Sequence, residues 1–132
     1  MDKLDLGEDV LFTGYMPQED LPLMMNVTLA FVFPSLHEGI SLPALKAISC
    51  GTPLIISNFS FLPEIVGQTA LLVESQDEEE IAMAMWRVFE GAQLRQGLRK
   101  LGLTQTARLC WQKAALQTMK VYMAAHEEAG RL

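Results

Sequence analysis

Phe33-Pro34-Ser35-Leu36-His37-Glu38-Gly39-Ile40-Ser41-Leu42-Pro43-Ala44-Leu45-Lys46-Ala47-Ile48-Ser49-Cys50-Gly51-Thr52-Pro53 is the stretch on which the fold turns. It opens at the end of an apolar run, Thr28 to Pro34, that does not alternate and so suits a parallel strand covered on both faces. A turn with one acid, Glu38, follows beside Gly39. Ser41 is placed to cap a helix, and Pro43 fits its first turn, where a missing N–H costs nothing. That helix should run from Ser41 to about Cys50, with Gly51 as its stop. A strand feeding a helix in this way presents free N–H groups beside a carboxylate, an arrangement that holds a phosphate and a sugar together.

Working outward, Val10-Leu11-Phe12-Thr13-Gly14 reads as a short strand, and Leu54–Ser57 and Ala70–Val73 as two more. A helix is expected after Pro17, with Glu19 and Asp20 in its first turn, where the helix dipole favours acids. Leu62-Pro63-Glu64-Ile65-Val66 reads as a brief helical turn ended by Gly67, with Glu64 structural. From Asp77 the character changes. An acidic helix start leads to Ile81, Met85, Val88 and Phe89 on one face, then Leu94, Leu98 and Leu101, then Trp111, Ala115, Met119 and Tyr122 at helical spacing. Strand–helix alternation predicts an α/β fold with a parallel sheet of about four strands. The expectation is one domain over 1–132, with an α/β part over 1–76 and helices over 77–132.

Composition sets the outer bounds. A chain of 132 residues, half of them apolar, can bury a real core. No apolar run approaches the ~20 residues of a membrane helix. The start, Met1-Asp2-Lys3-Leu4-Asp5, has no apolar stretch of the secretory kind, so a cytoplasmic location is expected. Cys50 and Cys110 read as reduced, buried small residues, the eight methionines as core filler, and no Cys/His cluster has metal-ligand spacing. The net charge of −6 argues against a nucleic-acid partner. Up to Trp86 there are thirteen acids and two basic residues, Lys3 and Lys46; the other eight cations follow from Arg87 onward.

The ordered set resembles the C-terminal, donor-binding domain of the retaining GT-B glycosyltransferases of the group 1, or family 4, type. The matching features are Val10-x-Phe12-x-Gly14, the Glu19-Asp20-Leu21 helix start, Pro34-Ser35 with Glu38-Gly39, Leu42-Pro43, and Cys50-Gly51-Thr52-Pro53. Leu62-Pro63-Glu64 with Gly67, Trp111 and Tyr122 complete it. The resemblance implies a Rossmann-like sheet, a UDP-, GDP- or ADP-sugar donor, and hexosyl transfer with retention and without a bound metal or other cofactor. It also implies a basic loop and an N-terminal acceptor domain outside this chain, on the same polypeptide or a partner chain. Turnover by this chain alone is therefore not expected.

By this resemblance Glu38 contacts the transferred sugar, against the alternative of a solvated loop acid. The amides of Gly39, Ile40, Ser41 and Leu42 meet sugar and phosphate, and plain helix capping is compatible with that. Tyr15 and Met16 lie near the base, or else Tyr15 is a surface aromatic. Lys46 stands where the family has a second acid that accepts from the ribose; lysine only donates. Three readings stay open for it: loss of activity, a charge moved toward the diphosphate, or a surface lysine. A Glu38–Lys46 ion pair is a further option. His37 sits at a variable position, and Trp111 and Tyr122 read as packing aromatics. The competing function is a non-catalytic module acting through a partner chain or self-association across an exposed sheet edge.

Overall fold

The computed structural model describes residues 6–59 and 62–130; the acidic start Met1–Asp5 lies outside them. The element order is α1 (Leu21–Val27), β1 (Phe31–Phe33), α2 (Leu42–Ser49), β2 (Leu54–Ser57), α3 (Leu62–Val66), β3 (Ala70–Val73), α4 (Glu78–Glu90), α5 (Ala92–Thr106) and α6 (Trp111–Ala129). The three strands form one parallel sheet in the order β1-β2-β3. Phe31 is in register with Leu54, and Leu54 with Ala70.

The sheet has two apolar faces because its helices return on both sides. β2 is buried at every position. Its alternation sends Leu54 and Ile56 to one layer with Ala44, Ile48, Leu62 and Val66, and Ile55 to the other with Val73, Ala84 and Val88. β1 and β3 flank it and are half-covered apart from the buried Val73. Helix α5 lies close on α2 at Gly102, where an added Cβ would come within 3.2 Å of the Ile48 carbonyl oxygen.

Several expectations need correction. Val10–Gly14 is not a strand: Leu11 and Phe12 are largely exposed and the described residues supply no neighbouring ladder. The sheet therefore has three strands, and the Thr28–Pro34 run contributes only Phe31–Phe33. Glu19 and Asp20 precede α1 instead of filling its first turn, and Asp20 caps without a side-chain bond. On α4 the buried line is Ala84 and Val88 with half-buried Ile81, while Met85 and Phe89 face out. Only Met25 of the described methionines is buried. Cys50 is half-buried and Cys110 exposed; the Cys110 sulfur caps α6 by accepting from Lys113 N–H at 3.4 Å. Helix α6 buries none of its residues, so Trp111 and Tyr122 are not packing aromatics within this chain.

Candidate functional site

At the end of β1 the chain leaves the carboxyl edge of the sheet, where open parallel sheets place ligands. Two hydroxyls hold the exit. The buried Ser57 Oγ, at the end of β2, donates to the Ser35 carbonyl at 2.6 Å. Ser35 Oγ donates to the His37 carbonyl at 3.2 Å. The His37 ring leans on Phe59, centroids 6.0 Å apart. Both loops that follow the first two strands are thus tied together before Glu38 is reached.

Glu38 is half-buried, and its carboxylate is not sealed off: among the described residues no buried side-chain oxygen lacks a partner. Next come the amides. Among the described residues, the N–H groups of Gly39, Ile40 and Ser41 donate to no protein acceptor, whereas Leu42 N–H closes onto the Ile40 carbonyl at 3.0 Å. Three free amides, not the expected four, therefore lead into α2. Ser41 is almost fully buried and its Oγ accepts from Ala44 N–H at 3.3 Å, the N-cap read from the sequence. Helix α2 ends as expected, with Gly51 left-handed at φ 73°. Gly39 is not in the left-handed region. A Cβ there would meet no atom within 4 Å, so the protein's own packing does not require glycine at this position.

Lys46 lies on the exposed side of α2 and donates from Nζ to Gln18 Oε1 at 3.4 Å. Its partner among the described residues is that amide, not Glu38. The contact joins α2 to the segment carrying Tyr15 and Met16, of which Tyr15 is 89% exposed and Met16 half-buried. The structure so brings together Glu38 with the Gly39–Ser41 amides, and Lys46 with the Tyr15–Gln18 segment. Gln18, Ser57 and Phe59 were not singled out by the sequence. Ser57 had one cue, a polar residue closing the apolar strand Leu54-Ile55-Ile56. Gln18 and Phe59 act across long sequence separations and gave none. Among the described residues no three metal-ligating side chains gather.

This geometry can be set beside known proteins. A family model described as "Glycosyl transferases group 1" matches residues 1–103. The chain belongs to the group 1 glycosyl transferases. It is 34% identical over 113 residues to "O-antigen chain mannosyltransferase B" of Escherichia coli, covering 86% of this chain and 30% of that protein. It is 32% identical over 130 residues to "MMP alpha-(1->4)-mannosyltransferase" of Mycolicibacterium hassiacum, covering 93% of this chain and 31% of the relative. Among solved structures, sucrose-phosphate synthase from Thermosynechococcus elongatus superposes with a TM-score of 0.86 at 31% identity, over 96% of this chain and 33% of that one.

As a group 1 glycosyl transferase domain, the chain has the GT-B α/β fold, with three strands in place of about four. It spans about a third of the length of these relatives. No helix among the described residues is long and apolar enough to cross a membrane.

Proposed function

We propose that this chain is the donor-binding part of a retaining glycosyltransferase that takes a hexosyl unit from a nucleoside diphosphate sugar. One observation carries the reading: a half-buried carboxylate, Glu38, followed directly by the unpaired amides of Gly39, Ile40 and Ser41 at the start of α2, in a chain of this family. Those amides and the positive end of α2 suit a developing phosphate charge. As the bond from the anomeric carbon to the diphosphate breaks, the leaving oxygen takes the electron pair and positive charge grows on the sugar. Glu38 is then the acid that faces that charge. An acceptor hydroxyl forms the new bond on the same face and gives its proton to the leaving diphosphate oxygen.

The role assigned to Lys46 is to carry a positive charge along α2 toward the diphosphate, with Gln18 Oε1 accepting from its Nζ beside Tyr15 and Met16. The named relatives favour a mannosyl donor among the hexoses. The acceptor side belongs to sequence that this chain does not span, on the same polypeptide or a partner.

A ligand-observed NMR titration with UDP, GDP and ADP and with their hexose-bearing forms tests the reading, run on the native chain, Lys46→Glu and Glu38→Gln. Saturable binding of one nucleotide by the native chain is expected, weakened about tenfold in Lys46→Glu. The diphosphate does not need Glu38, so Glu38→Gln should keep nucleotide affinity and lose only the preference for the sugar-bearing donor. Absence of binding by all three chains would overturn the proposal.

A further inference from the structure

Positive charge gathers at the opposite end of the sheet. The Ser35–Ser41 loop follows β1, whereas Thr28 and Thr52 precede β1 and β2 and so sit at the amino edge. There a cavity of about 230 Å³ opens between the end of α1 and one face of α5, lined by Asn26, Thr28, Thr52, Arg95, Gln96 and Arg99 among others. Two arginines and no carboxylate line it. In a chain of 16 acids and 10 basic residues this is a local reversal of sign.

One of the two arginines is anchored by hydrogen bonds and the other packs against Gly51. Arg95 donates from Nη1 to the Val88 and Phe89 carbonyls, each at 2.6 Å, at the end of α4. A guanidinium has five N–H donors, so others remain. Arg99 lies along Gly51: a Cβ added there would meet its Cγ at 3.0 Å and its Nη1 at 3.1 Å. The two side chains are one helical turn apart on α5, a spacing at which like charges repel modestly. An anion between them removes that repulsion and gains charge-assisted hydrogen bonds.

We propose that this cavity binds a small dianion of the phosphate or phosphate-monoester class, at a site separate from the Glu38 loop. Two guanidinium groups lining one cavity favour a doubly charged group over a single carboxylate. The volume is below the ~300–1,000 Å³ of sites that enclose drug-sized ligands, so a whole nucleotide sugar does not fit. Gln96 adds a neutral donor on the same face of α5, while Thr52 and Asn26 are committed to the Met25 and Pro22 carbonyls.

The test is an amide NMR titration of the full chain with inorganic phosphate, at constant ionic strength held with chloride. Saturable shifts at Gly51, Thr52 and the Ala92–Arg99 amides are expected, with a Kd of about 1 mM or tighter. Arg99→Gln should weaken binding about tenfold or more, and Arg99→Lys less, since it keeps charge but loses the planar fork. Arg99 is exposed, so both variants should keep native spectra. The place of the shifts, at Gly51, Thr52 and α5 and not at Gly39–Ser41, separates this site from the donor reading. Shifts confined to Gly39–Ser41, no saturable shift, or native affinity in both Arg99 variants would each overturn the proposal. The last two results are those expected if the arginines serve only to cap helix ends.

Discussion

Ser41 places one oxygen where two requirements meet. Its hydroxyl satisfies the Ala44 amide inside a buried helix start, and its own N–H is left facing the Glu38 loop. Removing the hydroxyl strands a buried donor, so Ser41→Ala should cost about 1–2 kcal/mol. Glycine at a cap costs only a few tenths, since water reaches the freed group. Thermal melts should therefore rank native, Ser41→Gly, Ser41→Ala in falling order; an Ala variant as stable as the native chain would remove the cap from the account. Lys46→Gln breaks only an exposed contact to Gln18 and should stay within about 0.5 kcal/mol of native. The contrast reflects what a sequence shows at this scale. Ser41, Pro43 and Gly51 act within one helix turn of where they stand, and were legible. Lys46 meets a residue 28 positions away, and its partner was not.

Helix α5 offers two glycines in different surroundings. Gly97 has open space where a Cβ would go, while a Cβ at Gly102 would come within 3.2 Å of the Ile48 carbonyl oxygen and 3.3 Å of its Cβ on α2. Alanine in an exposed helix interior gains about 0.8–1 kcal/mol over glycine, so Gly97→Ala should raise stability by about that amount. At Gly102 the same gain is opposed by a Cβ pressed on α2, and a larger side chain must part the helices. Gly102→Leu should cost about 1–3 kcal/mol. Urea unfolding of both variants checks this: equal effects from the two would mean that α2 and α5 do not touch. Such contacts explain what was misread in the elements. Helical periodicity found α4, α5 and α6 but did not fix which stripe turns inward. Of the face expected on α4, Ile81 and Val88 turn inward and are joined by the small Ala84, while Met85 and Phe89 face out. Close packing against β2 and β3 selects small and β-branched residues there, and that selection depends on the neighbours, not on local pattern.

At the scale of the molecule, the unread part of the sequence is which apolar segments find partners within these 132 residues. Val10–Phe12 has the composition of a strand, and α6 carries Trp111, Leu116, Met119, Val121, Tyr122 and Met123, yet all of them stand in solvent in this chain. The core needs neither segment: the buried residues of its two clusters come from α2, β2, α3, β3 and α4, with Met25 of α1 and Leu98 of α5 buried beside them. A direct consequence concerns where stability resides. Burying a valine side chain is worth about 1.5–3 kcal/mol, so Val88→Ala, at a position 1% exposed, should lower the unfolding midpoint clearly. Deleting residues 110–132 removes far more apolar mass but, among the described residues, none that is buried, so the midpoint should shift by no more than about 2 °C. The denaturant slope should also hold, because it follows the surface newly exposed on unfolding and α6 is exposed already. Circular dichroism resolves the two effects: the helical signal falls with α6 while the transition stays in place. A midpoint that drops as far as that of Val88→Ala would show that α6 packs on this domain in solution, and the division between core and uncovered helix would have to be redrawn.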